Sequence, residues 1–380
     1  MSMSTGIERV VAQPLAVTRR SPGTTGVAIG LVAVLALLAH WLTKTSASWF
    51  GREVIEYPIW AVAAGLGANL LLGLTGLRNR LSAGFRSELF LKTGLVIMGA
   101  TINFATVAEY GLRGLGQAVV MISAVFFFTW WFAGLLGIQG KLRALMASAL
   151  SICGVSAAIA AAGAVTARKE ELGYVTTLVI LFALPLMFLQ PFLVRALDVP
   201  AAVAGAWIGG NIDTTAAVVG AGALVGEETM QVASIVKMAQ NALIGFAAFL
   251  LALYWVFGVK RASGQSAREE SAGAGVGTGT DVAPPRAREL WQRFPKFVLG
   301  FMVASIAATA ALTAGWVSQT NVAALGPLRN WFLTMAFVSI GLEVSPKGFL
   351  KLGWRPVAVY AVATVFNMML ALGVAWVIFA

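Results

Sequence analysis

Apolar stretches follow one another along nearly the whole chain, parted by short polar or basic interruptions. About 20 apolar residues cross roughly 30 Å of hydrocarbon as a helix. Uninterrupted runs, rather than a period of two, select helices over a closed barrel. The pattern predicts eleven spans, near residues 24–42, 58–76, 88–104, 115–138, 142–166, 171–195, 201–225, 229–258, 295–316, 326–345 and 356–379. It divides the chain into an N-terminal segment (1–23), a first transmembrane block (24–258), a linker (259–290) rich in Gly, Ser, Ala and charge, and a second transmembrane block (291–380). The predicted fold is all-α and integral to a membrane.

Composition agrees. The chain is 59% hydrophobic and 11% charged, with mean hydropathy +0.83, against roughly 25% charged in soluble domains. The net charge of +11 could suggest nucleic acid, but its distribution points to membrane orientation. With the N-terminus in the cytoplasm, nineteen Lys and Arg fall in predicted cytoplasmic segments. Six fall opposite: Lys44, Arg52, Arg113, Arg168, Lys169 and Arg329. That bias favours an N-in, C-out protein of a bacterial inner membrane. Polar residues through Arg19 and Arg20 precede the first run, which reads as a signal anchor rather than a cleaved signal. One cysteine and one histidine exclude an intrachain disulfide and a Cys/His zinc cluster. No phosphate-binding GK[ST] loop, GxSxG elbow or His-based metal motif is present, so neither an enzyme nor an organic cofactor is expected.

Two internal similarities suggest repeats. "GLVIMGATINFATVAEYGLR" from Gly94 aligns without gaps to "AFVSIGLEVSPKGFLKLGWR" from Ala336, matching Gly99 with Gly341 and Arg113 with Arg355. The two lie seven spans apart, an odd number, which is the mark of an inverted repeat. "SAAIAAAGAV" from Ser156 resembles "TAAVVGAGAL" from Thr215. Counted as ordinary spans these two run parallel, so either one is a re-entrant hairpin or the match is chance.

Candidate chemistry lies at two interruptions. One is Cys153–Gly154, with Ser151 and Ser156 beside it; the other is Gly209–Gly210–Asn211, followed by Asp213, Thr214 and Thr215. Each half is about 11 residues, or ~16 Å, so two discontinuous helices would break near the midplane. Free N–H groups at one half's start attract anions, and free carbonyls at the other's end attract cations. Small residues alone would serve close packing equally well; the polar cluster Asn211–Thr215 tips the balance to a site. Lys237, inside "MQVASIVKMAQNALIGF", shares a face with Ser234 and Asn241, and Gln240 is close by. A mid-bilayer charge costs at least ~2.5–3.5 kcal/mol, which implies function or a partner. Asp213 is the natural partner or coupling carboxylate. Glu343 and Lys92 lie nearer span ends, and Glu343 is a second ion-coupling candidate. Expected substrate-binding residues are Cys153, Gly154, Ser156, Asn211, Thr214, Thr215, Lys237 and Asn241.

The runs "SICGVSAAIAA", "GGNIDTTAAVVGAGALV", "IVKM" and "GLVIMGATINF" resemble, in that order, the YeiH-type membrane proteins, a family labelled as sulfate exporters. They fall within the fold superfamily of cation:proton antiporters and bile-acid:sodium symporters. The resemblance runs from about Pro58 to the C-terminus, apart from the linker. It implies inverted repeats with crossed, broken helices, a scaffold and a moving transport domain, and a homodimer. It marks Cys153, Gly154, Asp213 and Lys237 as motif positions. The chain departs from the family pattern at Asp213–Thr214, where a His and an acidic residue are usual, and at Gln240, where an Arg is usual. The first change removes a group titrating near neutral pH, the second a bidentate oxyanion binder.

Three functions follow. The first is a secondary transporter that exports or exchanges a small anion (sulfate, sulfite, sulfonate or carboxylate) by alternating access. Lys237 and the helix starts would hold the anion, and Asp213 would couple to a proton or a bound sodium ion. The second is a monovalent cation:proton antiporter using Asp213 and Lys237. The third is a receptor or scaffold on a transporter fold. Expected partners are the anion, membrane lipid and a second copy of the chain, with no nucleic acid.

Overall fold

A computed structural model describes residues 22–50, 56–138, 140–255, 294–344 and 353–380. The linker at 259–290, most of the N-terminal segment and the basic stretch at 345–352 lie outside the described residues. Among those described every regular element is a helix. They are α1 (Pro22–Phe50), α2 (Tyr57–Leu74), α3 (Ser87–Thr101), α4 (Phe104–Leu135), α5 (Gly140–Ser151), α6 (Gly154–Val165), α7 (Lys169–Ala196), α8 (Ala201–Asn211), α9 (Thr215–Val225), α10 (Glu227–Ala242), α11 (244–255), α12 (Lys296–Thr313), α13 (Leu325–Glu343) and α14 (Trp354–Phe379). Short helical turns occupy Arg78–Leu81 and Gln319–Ala323.

Seven stretches are long and apolar enough to cross a membrane: α1, α2, α4, α7, α10 with α11 (Glu227–Trp255), α12 and α14. α3, with 15 residues, and α13 do not meet that standard.

The remaining two of the eleven expected spans are of another kind. Lys141, at the start of α5, donates from Nζ to the carbonyl of Thr166, at the end of α6, over 2.7 Å. The outer ends of the two 12-residue helices therefore meet, and residues 140–165 form a hairpin whose tip is Ile152–Cys153. Residues 201–225 do the same. At the base of that second hairpin the carbonyl of Ala201 accepts from Thr229 Oγ1 (3.3 Å), and that of Leu224 accepts from Arg195, which ends α7. Gly205 lies against Val232 and Gly209 against Val236, so α8 runs with α10. Gly222 lies against Met230 while Thr215 pairs with Asn241, so α9 runs against it. Hydropathy counts apolar residues and not the direction in which they travel, which is why each hairpin reads as one span. Arms of 11 or 12 residues reach ~16–18 Å, about half of a ~30 Å hydrocarbon core.

The hairpins come from opposite ends of α10–α11. The tip of the first meets Lys237 and Gln240, and its second arm leads away with Ala157 and Ala160 clustered with Ile244 and Ala248. The second hairpin is based at Thr229 and has its tip at Asn241. α6 and α9, the two segments matched in sequence at Ser156 and Thr215, therefore run in opposite directions. The similarity that fails between parallel spans fits an inverted pair of hairpins. In place of two discontinuous helices that cross, two hairpins meet tip to tip.

The described residues form two compact units. The first holds residues up to Ser87 together with Thr334–Glu343. There Gly341 packs into the backbone of α2, where an added Cβ would lie 2.6 Å from Val62 O. Asn69 Nδ2 donates to the Gly341 carbonyl (3.3 Å), and Tyr57 lies 6.0 Å from His40 and 6.1 Å from Phe337 between ring centroids. The second unit, Glu88–Leu333 and Val344–Ala380, contains both hairpins. There Gly99, the sequence match of Gly341, is likewise a point of close backbone approach, against Phe301.

Candidate functional site

α5 and α8 end at the tips, and a helix end leaves up to four carbonyls without intrahelical partners. Those carbonyls find donors. Lys237 Nζ donates to Ile152 O and to Gln240 Oε1, each at 2.7 Å. Gln240 Nε2 in turn donates to Ser151 O (3.0 Å) and Gly210 O (3.5 Å). One Lys–Gln pair three residues apart on α10 thus clamps the carbonyl ends of both hairpins. Asn367 of α14 does so again, donating to Asn211 O (3.0 Å) and Leu150 O (3.4 Å). Lys237 is buried, and snorkelling is excluded by these contacts.

The amino ends are different. α6 begins at Gly154 with no capping side chain. α9 has one weak cap, Thr214 Oγ1 accepting from Ala217 N at 3.3 Å. The two starts are adjacent: Cys153 Sγ lies 3.5 Å from Thr215 Oγ1, and Asn241 Nδ2 donates to the same hydroxyl at 3.2 Å. The first turns of two helices thus face one place with amide donors and positive dipole ends.

Gly154 is required there twice over. Its φ of +28° is unfavourable for other residues. An added Cβ would also lie 2.5 Å from Val179 Cγ1 and 3.2 Å from Asp213 O. Gly154→Ala is expected to cost about 1–3 kcal/mol of stability through strain at the tip, read as a lowered thermal unfolding temperature. Gly173→Ala, whose Cβ would meet nothing within 4 Å, should leave that temperature unchanged.

Asp213, expected as the partner of Lys237 or as a coupling carboxylate, makes no direct ion pair with it among the described residues. Asp213 Oδ2 accepts from Tyr360 Oη at 2.7 Å, and both residues are buried. Asn211 Nδ2 donates to Gln190 Oε1 (2.9 Å). The Oδ1 atoms of Asn211, Asn241 and Asn367 and the hydroxyl of Thr364 are buried without a hydrogen-bond partner. Tyr360, Thr364 and Asn367, at spacings of four and three, put a polar stripe on an otherwise apolar α14. Sequence reasoning passed over it, although that spacing is the signal of one helix face.

Seven of the eight expected binding residues gather at the tips: Cys153, Gly154, Asn211, Thr214, Thr215, Lys237 and Asn241. Ser156, the third residue of α6, is exposed and makes none of these hydrogen bonds. Glu343, the second ion-coupling candidate, belongs to the first unit, where its carboxylate accepts from Ser87 Oγ (2.7 Å) and Ser87 N (3.5 Å) at the start of α3. An acidic cap at a helix start is a structural use of that charge. Lys92 pairs with Glu88 one turn earlier (2.7 Å) on an exposed face.

Among known proteins, residues 27–360 match the family described as conserved hypothetical protein 698. A UPF0324 membrane protein of Rhodopirellula baltica is 36% identical over 371 residues, covering 95% of this chain and 64% of the relative. One of Nitratidesulfovibrio vulgaris is 34% identical over 365 residues, covering 93% and 58%. The UPF0324 membrane protein TauZ of Paracoccus denitrificans is 28% identical over 310 residues, covering 78% and 83%. The chain thus spans less than two thirds of the length of the first two relatives. No solved structure matches it.

Proposed function

This chain belongs to the YeiH/UPF0324 family of membrane proteins, and on that footing we propose that it is a secondary transporter for a small anion. The anion binds where the first turns of α6 and α9 face each other at the hairpin tips. One observation carries this reading: the carbonyl ends at the tips already have donors in Lys237, Gln240 and Asn367, while the start of α6 is uncapped. What the helix backbones leave on offer there is positive. Thr214, Thr215 and the exposed Ser156 add hydroxyl donors, and Lys237 sets the local potential from behind the tip. Sulfate, sulfite, sulfonate and carboxylate all fit that chemistry.

Asp213 is the coupling group in this proposal, taking a proton or joining a sodium ion. Asn211 and Asn367, with buried Oδ1 atoms, are the further oxygens such an ion would use. The same oxygens support a second reading, monovalent cation:proton antiport, in which transport needs no anion.

Orientation fits alternating access in either reading. A hairpin does not cross, so Arg168 and Lys169 move to the side of Lys141, and Arg195 moves to the other. The charge bias changes from nineteen against six to twenty against five, which strengthens an N-in arrangement in the cytoplasmic membrane. Hairpin 1 then opens toward the cytoplasm and hairpin 2 toward the outside. Withdrawing one tip at a time gives alternating access.

Cys153, the only cysteine, is buried at the tip and reports on the site. In proteoliposomes its reaction with a maleimide is expected to slow when a transported anion is added, with unchanged rates for monovalent cations. Protection by cations alone, with flux that needs no anion, would replace this reading by the antiporter.

A further inference from the structure

We propose that a crevice between α4, hairpin 1 and α11 holds one acyl chain of an anionic phospholipid, with the phosphate on Arg143. The crevice has a volume of about 350 Å³, and its walls include Phe126, Phe127, Trp130, Ile152, Ala247 and Tyr254. That is the small end of the ~300–1,000 Å³ range of ligand pockets, sized for a single chain. It is not closed off. Phe127 is 69% and Tyr254 60% exposed, so the crevice opens on the outer face of these helices, where lipid would lie.

Its rim supplies the charge. The Arg143 guanidinium lies 4.6 Å from the centroid of Trp130, and its Nε donates to Trp130 O at 2.5 Å. No carboxylate pairs with it among the described residues, which leaves a cation beside an apolar, aromatic wall. A basic site at the mouth of a crevice between membrane helices suits a lipid phosphate. Only the leaflet, the cytoplasmic one, rests on the proposed orientation. The inner end of the crevice is Ile152, whose carbonyl holds Lys237, so a bound chain packs directly on the tip of hairpin 1.

The test is native mass spectrometry of the full chain released from nanodiscs. The two probes are palmitoyl-oleoyl phosphatidylglycerol and the phosphatidylcholine with the same chains. The wild type is expected to retain one phosphatidylglycerol about fivefold more than phosphatidylcholine, the worth of one arginine near a lipid headgroup. Arg143→Gln should bring phosphatidylglycerol down to the phosphatidylcholine level. Ala247→Phe should displace both lipids by filling the crevice, and the milder Ala247→Met should give intermediate retention should the larger change disturb folding. Equal retention of both lipids by the wild type would overturn the proposal, as would undiminished retention by both Ala247 variants. So would a lipid-free dimer that Ala247→Phe converts to monomer, because a second copy would then cover the crevice.

Discussion

Lys237→Ala is expected to reduce anion flux in proteoliposomes by about 100-fold or more, the largest effect of any single substitution in this chain. Two charge-assisted hydrogen bonds disappear, each worth about 1.5–3 kcal/mol, and Ile152 O is left buried with no donor. Gln240 also loses its partner, which loosens its hold on Ser151 and Gly210. A purely structural role would make the loss follow unfolding, so thermal unfolding is measured in parallel. Lys237→Gln retains a donor for Ile152 O without the charge. It should recover most of the stability and little of the flux, because the potential at the α6 and α9 starts stays changed. Flux that returns with stability in Lys237→Gln would show that the lysine only braces the tips.

Asp213→Asn is expected to separate exchange from coupling. The amide oxygen still accepts from Tyr360, so the tip keeps its shape. The site loses the group that changes charge. Anion exchange down a gradient should persist within about threefold, a difference of under 1 kcal/mol. Uphill accumulation driven by a proton or sodium gradient should fall to background. Tyr360→Phe makes the complementary change, removing the hydrogen bond and keeping the carboxylate, and should alter the pH dependence of flux while coupling survives. Coupled accumulation that continues in Asp213→Asn would move the coupling group elsewhere in the chain.

The sequence carried the site further than it carried the fold. Lys237 and the Asn211–Thr215 cluster are legible because polar groups in an apolar run are costly and so need a reason. Gly154 stands out next to a cysteine in a run of small residues. The hairpins are not legible, because a turn within 25 apolar residues and a straight span through them have the same hydropathy. Only the clash between the Ser156/Thr215 similarity and the span count hinted at them. Tyr360 and Asn367 hide for another reason: single Tyr and Asn residues are ordinary in membrane helices until a partner is known. Gln240 reads as a neighbour of Lys237 and as a missing arginine, yet its amide is what lets one residue serve both hairpins.

The bond from Tyr360 to Asp213 joins residues 147 positions apart, which bears on how the chain is made. At about 5–20 residues per second, α14 emerges roughly 7–30 s after the second hairpin. Through that interval Asp213 and the carbonyl of Asn211 lack the donors that finally hold them, so the hairpin cannot be completed as it is synthesised. The nascent chain must keep a polar tip close to water, or to the insertion machinery, until its last described helix arrives. Assembly of the paired tips is therefore a late event, and chains cut short before α14 should be those that quality-control proteases remove.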